Sequence, residues 1–521
     1  MTRETTREQR DRWSFLALVL APVTMGLLVS TLRVLRSVPK PYELEYGEGL
    51  VIWFGKNALH LRELYHSIAN DVFVVCMYPP VHFLAVWTLE KVVGDFQMAG
   101  RLVGLLAFLG LLTAVAAIAF ESVPRRWGVT PRWSAALVAA GLTAGCSTIS
   151  GFAPVVRVDG LGLFLSMAGV AVFLRSPKAQ THSYIAFVFF ALAMFTKQTF
   201  VAAPAACFVT KWLLDRRAAM QLACFLALLV GGVGAALTWI THGQFLVHLF
   251  VYTRNGFALS QLKTFLVPNV GEMVPLLAIS GTAISWSWLP VLFGRSGNPR
   301  RVSRGRLRTN LSCLLCYSGF AFLVSLTLVK VGAAPYYLME WNATSAVLVG
   351  VMLGVVVARW PLMAERGTAV LVGLTIALVA AVSISRNVSE ATAVSPHERE
   401  FDAGRRDEFE KTVAWIRQTP GPVIAYDTTV LVKSGKSLSF EPFIMFQLER
   451  IGVWDATPFI RDLTRHKYAA IVMASELTND GWMSDSVRRT MANAYRLDHA
   501  IGHNYIYVPV SASIEHRPNG S

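Results

Sequence analysis

The sequence predicts a polytopic α-helical membrane protein that carries a small α/β domain at its C-terminal end. Of the 521 residues, 54% are hydrophobic and only 16% are charged, which is too little charge to cover a soluble surface of this size. Apolar runs of roughly bilayer-spanning length recur as far as Ser385. Beyond that residue the composition turns polar, and short strand-like runs alternate with helical patterns. These three observations place most of the chain in a bilayer and the remainder outside it.

The apolar runs predict about eleven transmembrane helices, because a span needs about 20 mostly apolar residues. One further apolar stretch, "YPPVHFLAVWTLEKVV" from Tyr78, is short, opens on two prolines and ends in charged residues. We expect it to stay in the first external loop, among amphipathic helices, without crossing the bilayer. The predicted spans lie near residues 13–32, 101–120, 134–152, 159–174, 182–196, 199–214, 218–240, 273–293, 309–328, 340–358 and 367–385.

The distribution of basic residues predicts the orientation of these helices. If the Tyr78 stretch does not cross, the N-terminus and five later loops share one side and carry 20 Lys and Arg, against five on the other side. Cytoplasmic loops carry such an excess. We therefore expect a cytoplasmic N-terminus, with the first loop and the C-terminal domain on the outer side of the plasma (inner) membrane. The net charge of +15 belongs largely to these loops, so nucleic-acid binding is not expected.

The composition also predicts two domains. Residues 1–386 would form the membrane module, with 33–100 as its first external loop, and residues 387–521 an extracytoplasmic α/β domain. The runs "PVIAYD", "YAAIVMA" and "NYIYVPV" are typical of its strands. This domain lacks a glycine-rich phosphate loop and a nucleophile elbow, so recognition is favoured over independent catalysis. The six cysteines all lie in the apolar part and imply no disulfide framework.

Polar residues embedded in the apolar part fall on the external face under this topology. The segment "KPYELEYGEG" carries three carboxylates, Glu43, Glu45 and Glu48. Ionisable groups at the membrane boundary are costly unless paired or solvated, so a shared depth predicts one water-filled polar cavity. Cations and carboxylates together could bind an anion beside a general base. The further residues of this set are Arg157, Asp159, Lys197, Gln198, Lys330 and Glu340.

Each of these residues also has a purely structural interpretation. Glu43 could be a solvated loop carboxylate, and Arg157 and Asp159 could simply pair with each other. Lys197 could extend to the membrane interface. Glu340 could stabilise the N-terminal end of a helix through the helix dipole.

The motifs resemble those of a known family. An N-terminal span, the acidic segment, the "YPP" at residues 78–80, the Arg157-x-Asp159 pair and a tyrosine-rich turn ending in Glu340 resemble the GT-C membrane glycosyltransferases. The similarity is to family 39-like enzymes, which include protein O-mannosyltransferases and aminoarabinose transferases. It covers essentially the whole chain and implies the GT-C fold.

The resemblance also implies roles for individual residues. The family often shows an adjacent Asp-Glu pair in the first loop, where this chain has glycine before Glu48, so the catalytic base stays open between Glu48 and Glu45, with Glu48 preferred. A charged pair precedes the prolines in some relatives, where this chain has Met77 and Tyr78. The implied donor-phosphate contacts are Arg157, Lys197 and Lys330, and the implied substrate-positioning residues are Asp159, Glu340, Tyr78 and Gln198.

The implied activity is transfer of a hexosyl or pentosyl group from a polyprenyl-phosphate-linked donor to an extracytoplasmic lipid, glycan or protein. A carboxylate would take the acceptor proton while cations stabilise the departing phosphate. No cofactor is expected; the sequence indicates no metal, although some members of the superfamily use one. The alternative is a lipid or solute transporter, which would favour inverted repeats and polar residues near the bilayer midplane over a cluster at one face.

Overall fold

The computed structural model describes residues 2–69, 71–265, 267, 279–280, 302–360, 367–392, 396–476 and 483–510. The membrane part consists of long helices joined by short turns. Its main helices are α1 Thr2–Ser37, α2 Glu48–Lys56, α3 Val81–Val93, α4 Phe96–Ser122, α5 Val129–Gly145, α6 Val158–Arg175, α7 Gln180–Met194, α8 Ala202–Leu214, α9 Arg216–Ile240, α10 Val302–Ser325, α11 Met339–Ala358 and α12 Thr368–Thr392. Single helical turns occur at Leu61–Leu64, Arg125–Trp127, Ser147–Ser150, Gln244–Leu246, Val247–Val251, Leu326–Val329 and Pro335–Leu338.

Seven helices among the described residues are long and apolar enough to cross a bilayer, judged by length and composition. Three other predicted spans correspond to the shorter helices α5, α7 and α8, of 17, 15 and 13 residues. The predicted span at 273–293 lies almost entirely outside the described residues. The chain is thus a multi-pass helical membrane protein, and the count of eleven spans stays a prediction. The seven candidate spans are Arg7–Ser37, Phe96–Ser122, Val158–Arg175, Arg216–Ile240, Gly305–Val329, Pro335–Ala358 and Ala369–Val388.

The predicted span at 134–152 is interrupted. Helix α5 ends at Gly145, and Cys146 adopts φ −69° and ψ 117° before the single turn Ser147–Ser150 begins. Small and apolar residues continue through this break, so the hydropathy pattern did not reveal it.

Helix α11 lies at the centre of the helix packing, and α9 lies at its edge. The most apolar window is 89% buried for the span that contains α11 and 6% buried for α9. Close contact between α11 and α5 depends on Gly350, because a Cβ there would lie 2.4 Å from the Ala135 carbonyl oxygen. The exposed Leu228 and Trp239 of α9 are the kind of side chains that face lipid.

Helix α3 contains the apolar stretch that follows Tyr78. Its 13 residues extend about 20 Å, which is shorter than the ~30 Å hydrocarbon core of a bilayer. Val92 is exposed, and the Lys91 ammonium lies 4.8 Å from the centre of the Trp87 ring. Exposed apolar, aromatic and basic residues on one short helix are typical of a membrane interface.

The C-terminal domain is built from five helices and a four-stranded sheet of order β1-β2-β4-β3 among the described residues. Strands β1 and β2 are parallel, with Ile424 opposite Ile471, whereas β4 is antiparallel to both of its neighbours. The elements are α13 Pro396–Gln418, β1 Val423–Ala425, α14 Thr428–Ser434, α15 Pro442–Arg450, α16 Thr457–Thr464, β2 Ala470–Met473, α17 Asp485–Ala494, β3 Tyr495–Ile501 and β4 Asn504–Pro509.

Strands β1, β2 and β4 fall on the three predicted strand runs, but β3 was not predicted. Strand β3 lies at the edge of the sheet, and most of its residues are only partly buried or exposed. Its sequence "YRLDHAI" contains Arg496, Asp498 and His499. A strand without a buried apolar face gives no hydrophobic alternation, which is why the pattern missed it.

The first external loop and the C-terminal domain share their hydrophobic cores. Phe54 of the loop belongs to the same core as Leu431 of the domain. A second joint core includes Phe73, whose ring lies 5.5 Å from that of Phe459 in an edge-on contact. Phe73 also exchanges backbone hydrogen bonds with Ser439 and Glu441, at 2.8 and 2.9 Å. The domain is therefore packed against the loop that carries the acidic segment.

Candidate active site

The Glu48 carboxylate is fully enclosed at the start of α2. It is 0% exposed, and Arg101 of α4 donates to both of its oxygens, from Nε at 2.8 Å and from Nη2 at 2.9 Å. The backbone N–H groups of Val156 and Leu44 donate to the same carboxylate at 3.1 and 2.9 Å. Arg101 in turn donates to the carbonyl oxygens of Val38, Lys40 and Tyr42. Glu48 thus has four donors and is closed to solvent.

Glu45 lies three residues earlier, in a different environment. Its side chain is 30% exposed, and its Oε2 accepts a hydrogen bond of 2.5 Å from Nη1 of Arg157. The same Nη1 lies 3.3 Å from the Tyr46 carbonyl oxygen. Burial raises the pKa of Glu45, and the positive charge of Arg157 opposes that shift only in part. Glu45 is therefore an accessible carboxylate with an enhanced affinity for a proton.

A line of alternating charges continues from Arg157. Its Nε lies 3.6 Å from Oδ2 of Asp159, at the start of α6, and the other oxygen of Asp159 lies 2.6 Å from the Lys197 ammonium. Asp159 and Lys197 side chains are only 4% and 5% exposed. The structure thus brings Glu45, Arg157, Asp159 and Lys197 together in one row, here called the charged row.

Tyrosine rings surround the cations of the charged row. The Tyr336 ring centre lies 4.6 Å from the Arg157 guanidinium and 4.4 Å from the Lys197 ammonium. Tyr337 lies 4.3 Å and Tyr78 6.0 Å from the same ammonium. Aromatic faces attract cations, so these rings stabilise the positive charges of Arg157 and Lys197 without neutralising them.

The "YPP" loop is docked on the turn that carries Lys197. The Val81 N–H donates to the Phe195 carbonyl oxygen at 3.0 Å, and the Gln198 amide donates to the Met77 carbonyl oxygen at 3.2 Å. The carbonyl of Tyr78 accepts from the Tyr65 hydroxyl at 2.8 Å. These bonds place Tyr78 beside Lys197 and give Gln198 a backbone partner.

Lys330 and Glu340 occupy the two ends of the turn between α10 and α11. Burial lowers the pKa of Lys330, and the positive charge of the nearby Lys197 lowers it further. Glu340 accepts a hydrogen bond of 2.8 Å from the Tyr317 hydroxyl, which links α11 to α10. Lys330 thus lies near the Lys197 end of the charged row, whereas Glu340 has a partner within the helix packing.

The C-terminal domain supplies partners that the sequence did not reveal. Asp427 lies against Glu43, and burial together with that second carboxyl group raises the pKa of Glu43 well above its usual range. The Tyr46 hydroxyl donates to Glu441 at 2.6 Å. Arg101 was also missed, although an arginine inside the apolar run of α4 is itself a signal of a buried partner.

Within the described part of the chain, no three His, Cys, Asp or Glu side chains are grouped so that they could hold a metal ion. The positive charge at this site comes from Arg157, Lys197 and Lys330.

The chain is similar in fold to solved membrane enzymes. No protein-family model and no curated protein matches the sequence. The crystal structure of apo ArnT from Cupriavidus metallidurans matches with a TM-score of 0.50 and 15% identity, over 93% of this chain and 97% of that one. The apo oligosaccharyltransferase of Archaeoglobus fulgidus matches with a TM-score of 0.56 and 13% identity, over 96% and 75%.

A third similar structure is AglB of Archaeoglobus fulgidus in complex with an inhibitory peptide and a dolichol-phosphate. It matches with a TM-score of 0.53 and 12% identity, over 96% of this chain and 75% of that one. Identities this low bear on the fold rather than on the reaction. The resemblance seen in the sequence motifs is confirmed at that level: the chain has the GT-C fold of these membrane glycosyltransferases.

Proposed function

We propose that this protein is an integral-membrane glycosyltransferase that moves a hexosyl or pentosyl group from a polyprenyl-phosphate donor to an extracytoplasmic acceptor. The observation that carries the proposal is the charged row, in which an accessible carboxylate, Glu45, directly contacts Arg157. The dolichol-phosphate bound by the similar AglB supports a lipid-linked donor. The proposed acceptor is a lipid, a glycan or a protein.

We assign the donor phosphate to Arg157, Lys197 and Lys330. The planar guanidinium of arginine pairs well with phosphate oxygens and remains charged at all relevant pH values. Two neighbouring ammonium groups repel each other, so an anion bound between Lys197 and Lys330 relieves that repulsion. Asp159 would hold Lys197 in place, and Tyr78 would line the same space.

We assign the general base to Glu45 and no longer prefer Glu48. A base must reach the acceptor proton, and Glu48 is enclosed by four hydrogen-bond donors. Arg157 is paired with Glu45. A phosphate that binds Arg157 would compete with that pair and free the carboxylate for the acceptor. Substrate binding would thus prepare the base.

The reaction is a displacement at the anomeric carbon. The acceptor oxygen forms a bond to that carbon while the bond to the phosphate oxygen breaks, and the acceptor proton passes to Glu45. The polyprenyl phosphate leaves with its charge stabilised by Arg157 and the two lysines. Because these cations already supply positive charge, we propose that transfer needs no divalent metal. Chelation with EDTA would therefore leave the rate unchanged.

We propose that Gln198 and Glu340 position the loop and the substrates. Gln198 donates to the Met77 backbone, so its role would be to fix the "YPP" loop beside the donor. Glu340 would position a sugar hydroxyl or the acceptor, competing with its bond to Tyr317. We further propose that the charged row faces outward from the plasma (inner) membrane and that the N-terminus is cytoplasmic, since the basic loops favour that orientation.

Label transfer in detergent tests the proposal. Purified protein is given a radiolabelled polyprenyl-phosphate sugar and a panel of lipid, glycan and peptide acceptors. We expect transfer by the wild type and a loss of about 10²- to 10⁴-fold in Glu45→Gln, the usual contribution of a general base. Glu63→Gln, which changes an exposed carboxylate of the same loop, is the matched control. Movement of the donor across sealed vesicles without any transfer would instead support a transporter.

A further inference from the structure

Tyr46 connects the charged row to the C-terminal domain. Its carbonyl oxygen lies 3.3 Å from Nη1 of Arg157, and its neighbour Glu45 accepts from the same nitrogen. Its hydroxyl reaches in the other direction and donates to Oε1 of Glu441 at 2.6 Å. The ring of Tyr46 lies 5.1 Å from that of Tyr426, which immediately follows β1. A single residue thus contacts both the reacting segment and the domain above it.

Glu441 is held rigidly on the side of the C-terminal domain. It caps α15, where its carboxylate accepts from the Ile444 N–H at 2.7 Å and from the Phe443 N–H at 3.3 Å. Its own N–H donates to the Phe73 carbonyl oxygen at 2.9 Å. The residue is only 3% exposed. Glu441 is therefore a buried acceptor whose position is set by both the domain and the first loop.

The hydroxyl of Tyr46 is a suitable donor for the Glu441 carboxylate. Burial raises the pKa of Tyr46 well above its usual range, so the phenol keeps its proton and acts as a donor. Burial raises the pKa of Glu441 as well, and its hydrogen bonds from Tyr46, Ile444 and Phe443 oppose that shift. The bond therefore resists movement of the backbone at Tyr46.

We propose that Glu441 is a positioning residue for sugar transfer, which through Tyr46 holds Glu45 and Arg157 at the reacting centre. The inference rests on the proposed function of the charged row. Arg157 uses one nitrogen for both Glu45 and the Tyr46 carbonyl, so a shift of Tyr46 displaces the base and the phosphate contact together. The C-terminal domain thereby takes part in the reaction without touching the substrate.

Kinetics of three variants test this assignment. Tyr46→Phe removes the donor, and Glu441→Gln leaves one acceptor oxygen to serve both Tyr46 and α15. We expect kcat to fall on the order of 10- to 100-fold in each, with KM for the donor changed much less, because misplacement of reacting groups acts mainly on the chemical step. The double variant should be no slower than the slower single variant, since both changes break one bond.

Glu408→Gln is the matched control for damage to the domain. Glu408 accepts from the His503 N–H at 2.7 Å and from the Asn504 amide at 3.1 Å, entirely within the C-terminal domain. We expect its kcat to equal that of the wild type. Wild-type kcat in Tyr46→Phe, or losses that multiply in the double variant, would overturn the assignment.

Hydrogen exchange provides a test that does not depend on activity. In Tyr46→Phe and Glu441→Gln we expect faster amide exchange at residues 43–48 and 155–158, and no change in Glu408→Gln. Unchanged exchange in the first two variants would refute the positioning role. If the wild type transfers no sugar to any acceptor, the proposed function fails, and the exchange data alone still decide whether Glu441 orders the segment.

Discussion

Glu45 and Glu48 show how strongly surroundings determine the role of a carboxylate. Both belong to the same acidic segment, but Glu48 is closed off by Arg101 and backbone N–H groups, whereas Glu45 is partly exposed beside Arg157. The family resemblance favours Glu48 as the general base, because Glu48 aligns with the acidic motif of the family. Burial, which the motif does not encode, supports our proposal that Glu45 is the base instead.

The buried Glu48–Arg101 pair should contribute strongly to stability. Arg101→Met leaves a buried carboxylate without its partner, which typically costs about 3–5 kcal/mol. We expect a matching drop in the free energy of unfolding in detergent, and partial recovery in the double variant Arg101→Met/Glu48→Leu. A Glu48→Gln protein that is as stable as the wild type but unable to transfer sugar would return Glu48 to the position of base.

Protonation of Glu45 should produce an acidic limb in the pH–rate profile. Glu45 must be deprotonated to act, and burial raises its pKa, so transfer should fall off at a pH above the ordinary range of a glutamate as the medium is acidified. Arg157→Met removes the charge that opposes the shift in the free enzyme, so the acidic limb of kcat/KM for the donor should move to higher pH. Glu63→Gln should leave the limb in place. An unmoved limb in Arg157→Met would show that another group titrates.

At the scale of elements, Gly47 and Gly49 determine how α2 meets its neighbours. Gly47 adopts φ 86° and turns the chain between Glu45 and Glu48, so the two carboxylates reach different partners. Gly49 lies directly against α14, where a Cβ would lie 2.2 Å from the Thr429 backbone nitrogen. The contact between the first loop and the C-terminal domain is therefore backbone to backbone.

Substitution of Gly49 should loosen that contact. Gly49→Ala forces α2 away from α14, and overpacking of this kind typically costs about 1–3 kcal/mol. We expect faster proteolytic release of the C-terminal domain and a lower unfolding temperature. Gly404→Ala is the control, because α13 has open space around Gly404 and alanine favours a helix there. Equal protease resistance in both variants would contradict the close contact.

At the scale of the whole molecule, the acidic segment is a junction of three distant parts of the chain. Glu48 meets α4, Glu45 meets the turn before α6, and Glu43 and Tyr46 meet the C-terminal domain. Each partner comes from a different element. The acidic segment thus lies between the membrane helices and the C-terminal domain, and a water-filled cavity at one membrane face stays a prediction.

The carboxyl pair of Glu43 and Asp427 makes that closure sensitive to pH. The pKa of each group is raised above its unfolded value, chiefly by burial. A raised carboxyl pKa favours the folded state at low pH, and that stabilisation is lost as the pH rises through the folded pKa. We therefore expect the unfolding temperature to decline from mildly acidic to alkaline pH.

Asp427→Asn should flatten this decline, because asparagine still caps α14 but cannot ionise. Thermal unfolding of both proteins across pH 5 to 9 provides the measurement. The Lys411→Met protein, which breaks an exposed pair with Asp407 on α13, should keep the wild-type slope. A wild-type slope in Asp427→Asn would contradict a contribution of this carboxyl pair to the pH dependence.

The amino-acid sequence predicts the membrane class, most helices, three of the four described strands and the ionisable residues that form the charged row. These features depend on composition and on local periodicity, which a linear pattern records. It missed β3 and the break at Cys146, because neither changes the apolar pattern in a way that periodicity detects.

Which charged side chains contact each other depends on the tertiary structure. Glu45 and Arg157 are separated by 112 residues, and Tyr46 and Glu441 by 395. Whether a carboxylate is enclosed or accessible depends on the packing of α4, α6 and the C-terminal domain around it. Burial and partner distance are properties of that packing, so no reading of neighbouring residues could distinguish Glu45 from Glu48.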